Sequence, residues 1–247
     1  MAALTLAVEG LSLRRNGRLV LDGVTFEAAG GEVVALIGPN GAGKTTLLEC
    51  LTGLQRADRG TVAFGGAALT SLAGRSAVFA YMPDDAEAPA ELTVREWMAF
   101  AARVHRTPAA KVRQLSERLR VAPLLGARAG DLSRGERRRV ALCTTLCAER
   151  PVVVLDEPLG VFDPRQLRDV LAVLQGVAAA GAALVVSVHQ MSDAEKIADR
   201  VMLLAAGRVV AFGSLPQLRA QASAAPDAPL EAVFLALLGG TGADAPA

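Results

Sequence analysis

Two groups of residues have the types and spacing for chemistry on a phosphate. Gly38-Pro-Asn-Gly-Ala-Gly-Lys-Thr45 has the pattern G-x-x-x-x-G-K-[ST]. Its glycines let backbone N–H groups wrap an anion without Cβ clashes. A helix opening at Lys44 would add free N–H donors and partial positive charge. Lys44 suits β- and γ-phosphate oxygens, and the Thr45 hydroxyl suits a Mg2+ ion. Gly38, Asn40, Gly41, Ala42, Gly43 and Thr46 complete the expected nucleotide-binding loop. The second group is Asp156-Glu157, which ends the apolar run Val152-Val-Val-Leu155. Asp156 would hold Mg2+, directly or through water, and Glu157 would polarise an attacking water as general base. Taken alone, the pair equally fits a strand ended by solvated acids. Beside a phosphate loop, that reading loses its force.

Positioning these groups requires strands covered on both faces. Residues 33–37 form a continuous apolar run directly before the loop, and 152–155, 184–188 and 201–204 repeat the pattern. Helices are expected at 44–51, 164–180 and 191–199. Residues 92–150 read as helical, without a good strand run. Short strands are expected at 4–8, 19–21, 24–26, 61–64 and 77–81. The sum is an α/β fold, a P-loop (RecA-like) mostly parallel sheet with an antiparallel β subdomain and an inserted α-helical subdomain at about 85–150. The expected organisation is one ATPase domain over 1–219, then at 220–247 a linker, a C-terminal helix at 230–238 and a disordered tail.

Composition sets outer bounds. The chain has 247 residues, 52% apolar and 4% aromatic, with net charge +1. That near-neutrality argues against a bulk nucleic-acid binder. Mean hydropathy is +0.35, and residues 170–188 carry no charge. Gly176, Gly181 and many alanines interrupt that stretch, so it reads as helix, turn and buried strand rather than a membrane span. The start of the chain lacks a signal-peptide pattern, which predicts a cytosolic protein. Cys50, Cys143 and Cys147 read as buried small hydrophobes, lacking the partners a zinc site needs.

Asp131-Leu-Ser-Arg-Gly-Glu136 narrows the field. Together with Ser187-Val-His189 and Leu159-Gly-Val-Phe-Asp-Pro164, it resembles in order and spacing the signature and loops of ATP-binding-cassette (ABC) transporter ATPases. The resemblance runs over about residues 4–218. Leu92-Thr-Val-Arg-Glu96 and Leu230-Glu-Ala-Val-Phe234 are most like the ABC-2-type exporter group. The resemblance implies two cassettes facing head to tail with ATP and Mg2+ between them. Lys44, Thr45, Asp156, Glu157 and His189 of one copy would meet Ser133 and Gly135 of the other. His189 would contact the γ-phosphate. It further implies membrane permease subunits, a second identical or related cassette, and a peripheral place on the cytoplasmic face of the inner (plasma) membrane.

The sequence departs from the family at several positions. Arg15 stands where an aromatic residue usually stacks on adenine; a guanidinium can also stack there. Asp84 replaces the glutamine after the strand ending at 83, where it could approach Mg2+ if its loop shifts. Arg134 replaces a glycine, Glu136 a glutamine, and Gly160-Val161 a small polar pair. The run Arg137–Arg139 reads as a solvated helix face. Trp97 and His105 read as packing or surface residues of the helical lobe. The expectation is a competent but modified ATPase. The alternatives are a soluble ABC-family ATPase and a catalytically weakened nucleotide sensor.

Overall fold

The computed structural model describes residues 4–240. The chain opens with a long hairpin, β1 (Thr5–Arg15) and β2 (Arg18–Ala29), then enters β3 (Val33–Ile37) and α1 (Lys44–Thr52). Next come β4 (Arg59–Phe64), β5 (Ala67–Ala68), α2 (Leu72–Val78) and β6 (Phe79–Met82). A helical lobe follows: α3 (Val94–His105), α4 (Ala109–Arg118) and α5 (Arg134–Leu146). The chain then returns to the sheet through β7 (Val152–Leu155), α6 (Pro164–Ala179), β8 (Ala183–Ser187), α7 (Met191–Ile197), β9 (Arg200–Ala205) and β10 (Arg208–Gly213). It ends with α8 (Leu215–Gln221) and α9 (Leu230–Gly240).

One sheet has the order β10-β9-β3-β8-β7-β6 and the other β2-β1-β4-β5. In the larger sheet β9, β3, β8, β7 and β6 are parallel, and β10 adds an antiparallel edge. The apolar runs are continuous because their residues serve two cores in alternation. Val33, Ala35 and Ile37 face the helical lobe, α6 and α7, with Val153, Leu155, Leu184 and Val186. Val34 and Leu36 face α1 and the antiparallel hairpin, with Val152, Val154, Val185 and Leu204. Each fully buried Val or Leu contributes about 1.5–3 kcal/mol relative to exposure. This layering anchors the loops at the C-terminal edge of the sheet.

Several elements differ from the sequence expectation. Residues 19–21 and 24–26 lie in the single strand β2, and β1 extends to Arg15 rather than ending at 8. Register shifts between Val8 and Leu11, and again near Leu13, break the alternation that marks a strand. Residues 77–78 finish α2, whose start is capped by Ser71 accepting the Gly74 N–H. β10 and α8 have no counterpart among the expected elements. Uncharged residues 170–188 are the end of α6, a turn at Gly181 (φ +105) and β8. Among the described residues no helix is long and apolar enough to cross a membrane. α9 continues past 238 to Gly240, and the tail expected to be disordered lies, from 241 on, outside the described residues.

Candidate active site

The loop between β3 and α1 is shaped by what surrounds it. A Cβ on Gly38 would lie 2.1 Å from the Leu204 carbonyl oxygen of β9. Gly43 has φ +104, and a Cβ there would lie 2.9 Å from the Val20 carbonyl oxygen of β2. Neither neighbour is a flexible side chain, so both positions require glycine. The loop closes on itself through Ala42 N–H to the Pro39 carbonyl at 3.1 Å, and Gly207 N–H holds the Ala42 carbonyl at 3.0 Å. Lys44 is 9% exposed. Its Nζ donates to the carbonyls of Gly38 at 2.8 Å and Pro39 at 3.3 Å. No acid occupies the first turn of α1, so no side chain of that turn offsets the positive end of its dipole. Thr45 and Asn40 are exposed and Thr46 is half-buried.

Two strands away, at the same edge of the sheet, Asp156 follows β7. Its N–H donates to the Met82 carbonyl at 2.8 Å. Its side chain is 1% exposed. Oδ1 accepts from the Ser187 hydroxyl at 2.5 Å. Oδ2 is buried without a hydrogen-bond partner among the described residues. Buried carboxylate oxygens are rarely left unmatched, and a hard cation takes oxygen donors of this kind. The donor set therefore fits Mg2+. Glu157 is half-buried and has φ +46, unusual for a residue with a side chain. Its N–H donates to Ser187 Oγ at 2.8 Å. Ser187 thus bridges both acids from β8, a contribution hidden in the sequence because serine at a strand end is common. His189, two residues beyond β8, is exposed at the same edge. The buried Tyr81 hydroxyl on β6 also lacks a partner among the described residues. Burial, with Asp156 nearby, pushes its pKa up.

Asp84 has a different partner from the one expected. Its Oδ1 pairs with Arg138 of α5 at 2.7 Å, where the guanidinium is 7% exposed. A buried cation needs a counter-ion, and Asp84 supplies it. The arginine run is correspondingly not a solvated face throughout: Arg138 is buried, and Arg137 pairs with Glu87 at 3.1 Å.

Ser133 and Gly135 open α5 on the helical lobe. Ser133 is the N-cap in a reciprocal capping box. Its hydroxyl donates to Glu136 Oε2 at 2.7 Å, and its N–H donates to the same oxygen at 2.9 Å. These bonds hold the Glu136 carboxyl below its ordinary range. Among the described residues no hydrogen bond or ion pair joins Ser133 or Gly135 to residues 38–46. Asp163 caps α6, accepting from the N–H groups of Arg165 and Gln166 at 2.8 and 2.9 Å. Arg15 is exposed at the tip of the β1–β2 hairpin, paired in register with Arg18. That hairpin passes the phosphate loop at Val20. Trp97 stacks on Phe100 in α3, with ring centroids 5.5 Å apart. Cys50, Cys143 and Cys147 are buried free thiols.

Comparison with known proteins agrees with this geometry. The family model described as "ABC transporter" matches residues 21–160, from β2 through both acids. The hemin import ATP-binding protein HmuV of Streptomyces coelicolor is 38% identical over 230 residues, 87% of this chain and 80% of its own. The sulfate/thiosulfate import ATP-binding protein CysA of Bordetella parapertussis is 35% identical over 85% of this chain; the match spans 62% of that relative's length. The Nod factor export ATP-binding protein I of Burkholderia orbicola is 34% identical over 81% of this chain and 68% of its own. A solved ATP-binding subunit of an ABC transporter superposes with TM-score 0.85 at 31% identity, covering 94% of this chain and 98% of that one. With its phosphate loop and paired acids on a P-loop sheet, the chain belongs to the ABC transporter family, as an ATP-binding cassette ATPase.

Proposed function

We propose that this cassette works as one of two head-to-tail copies, identical or related, that energise a transporter by binding and hydrolysing ATP between them. The observation that carries the reading is the shared sheet edge. It gathers the Lys44 loop, the unpartnered Asp156 Oδ2, Glu157 and His189. Lys44 and the amides of the loop hold the β- and γ-phosphates. Thr45 and Asp156 hold Mg2+, which neutralises phosphate charge when bound. Glu157 takes the proton of the attacking water, and His189 orients toward the γ-phosphate. Ser133 and Gly135 complete the site of the second copy with the helix N-terminus behind them. Arg15 stacks on the base from the hairpin tip. Integral membrane permease subunits are the partners, with the cassette peripheral on the cytoplasmic face of the inner membrane. Nucleic acid is not a partner in this reading.

Export is the direction we propose, on the likeness of residues 92–96 and 230–234 to the ABC-2-type group. The relatives include both import and export proteins. ATP added outside inverted vesicles carrying the complete transporter would accumulate substrate inside for an exporter and deplete it for an importer. The catalytic reading is tested by Glu157→Gln. A general base contributes about 10²–10⁴-fold, so turnover falls by that factor while ATP binding persists. Equal turnover would refute the role of Glu157. A slow cassette is the second reading, favoured by the Glu136 carboxylate held on Ser133. Single-turnover hydrolysis by the assembled transporter separates the two.

A further inference from the structure

The loop at 83–93 leaves β6 beside Asp156 and returns to the lobe that carries Ser133. Its beginning is level with Asp156 because that residue's N–H donates to the Met82 carbonyl at 2.8 Å. Two residues on, Asp84 meets Arg138 at 2.7 Å, and Glu87 meets Arg137 at 3.1 Å. Arg137 Nε also donates to the carbonyl of Leu132, the residue before Ser133, at 2.9 Å. The far end of the loop is bonded to the same segment. Gly130 N–H donates to the Ala90 carbonyl at 3.1 Å and Ala129 N–H to the Leu92 carbonyl at 2.9 Å.

Successive residues on a helix point about 100° apart. The later turns of α5 are packed into the core through Val140, Leu142, Cys143 and Leu146; two ion pairs from adjacent arginines fix its first turns in two directions. Arg138 is 7% exposed, its Nη1 is buried without a hydrogen-bond partner among the described residues, and its ion pair is with Asp84. The Arg137 pair is more open, with side-chain exposures of 38% and 58%, and is the weaker of the two.

We propose that Arg137 and Arg138 are positioning residues that register Ser133 to the sheet edge carrying Asp156. The serine lent to a second copy then moves with this copy's own metal-side edge, so the two composite sites are coupled through each chain. Asp84 acts as the near anchor of this strut. The proposal rests on the two-copy reading above.

Amide hydrogen exchange of the purified, nucleotide-free full chain tests the strut without any second copy. Arg138→Gln, Arg137→Gln and Glu87→Gln should each speed exchange at 131–137, by about tenfold for Arg138→Gln, as expected for loss of a coupled pair. Exchange in β3 and β7 should stay as in the parent. Arg137→Gln combined with Glu87→Gln should equal Arg137→Gln alone, because that variant already removes the pair along with the Leu132 bond. Unchanged exchange at 131–137 in these variants overturns the proposal. Should Arg138→Gln fail to fold, Glu87→Gln, at an exposed residue, still decides it. In a Glu157→Gln background, sedimentation with MgATP should show dimerisation weakened in Glu87→Gln and Arg137→Gln, with MgATP binding to the monomer within about twofold of the parent. Equal loss of both overturns the proposal. A parent that never dimerises with MgATP refutes the two-copy reading and the lending of Ser133 with it, while the exchange result still reports on the ion pairs.

Discussion

Ser187 lies between Asp156 and Glu157, donating its hydroxyl to Asp156 Oδ1 at 2.5 Å and accepting the N–H of Glu157 at 2.8 Å. One buried hydroxyl therefore sets the orientation of the carboxylate expected to hold metal and of the backbone carrying the expected base. Ser187→Ala removes two bonds in a fully buried place. It leaves Asp156 with both oxygens unmatched. Stability should fall by about 1–3 kcal/mol, measured by denaturant titration. The Mg2+ concentration for half-maximal hydrolysis should rise. An unchanged midpoint together with an unchanged Mg2+ profile would remove Ser187 from the site.

Gly38→Ala tests the loop from the packing side. The added Cβ would meet the Leu204 carbonyl of β9 at 2.1 Å, and β9, paired on both sides, cannot retreat without disturbing β3 and β10. Overpacking of this kind costs about 1–3 kcal/mol. The expected result is a lower thermal midpoint and loss of ATP binding together. Gly41→Ala is the control for space, since a Cβ at Gly41 meets nothing within 4 Å, although its φ of +77 still imposes strain.

Glu136 combines a structural and a functional demand. It accepts both bonds from Ser133, and it places negative charge where a phosphate is expected. Glutamine can serve in a capping box as well. Glu136→Gln should therefore keep α5 intact while raising ATP turnover by the assembled transporter. Lower turnover would show that the carboxylate is needed. The same bonds give a pH dependence. Because the folded-state pKa is depressed, this capping contribution is present above the ordinary carboxylate range. It is lost as pH falls through the folded value. Protection from exchange at the first turn of α5, taken relative to the intrinsic rate at each pH, should fall in acid for the parent and much less for Glu136→Gln.

Much of this arrangement was legible from residue patterns, for physical reasons that also mark where legibility stopped. Val33–Ile37 and Val152–Leu155 read as doubly covered strands because both faces meet a core. The groups at their C-terminal ends followed from motif spacing. The β1–β2 hairpin reads as fragments in the sequence because bulges shift its register near Leu11 and Leu13. Arg138 read as solvated because a run of arginines carries no mark of which one points inward. Its burial depends on Asp84, 54 residues earlier in the chain. Ser187 stands in the Ser187-Val-His189 motif, but its bridging role does not show there: its two partners come from the adjacent strand's end, and no local pattern announces them.

Lys44 provides the sharpest test of residue type. The chain has 26 basic residues and only three are lysine, at 44, 111 and 196. Lys111 and Lys196 are half-exposed partners of Glu149 and Asp193, roles arginine could fill. Lys44 is 9% exposed and its ammonium bonds two loop carbonyls, at Gly38 and Pro39. A guanidinium is planar and larger, and its donors form a fixed fork rather than a compact point charge. Lys44→Arg keeps the charge but not that shape. If charge alone mattered, ATP affinity would survive the change. If shape matters, affinity measured by calorimetry should fall by at least about tenfold, close to 1.4 kcal/mol, and approach that of Lys44→Ala. Lys111→Arg, which alters an ordinary surface pair, should leave affinity as it was.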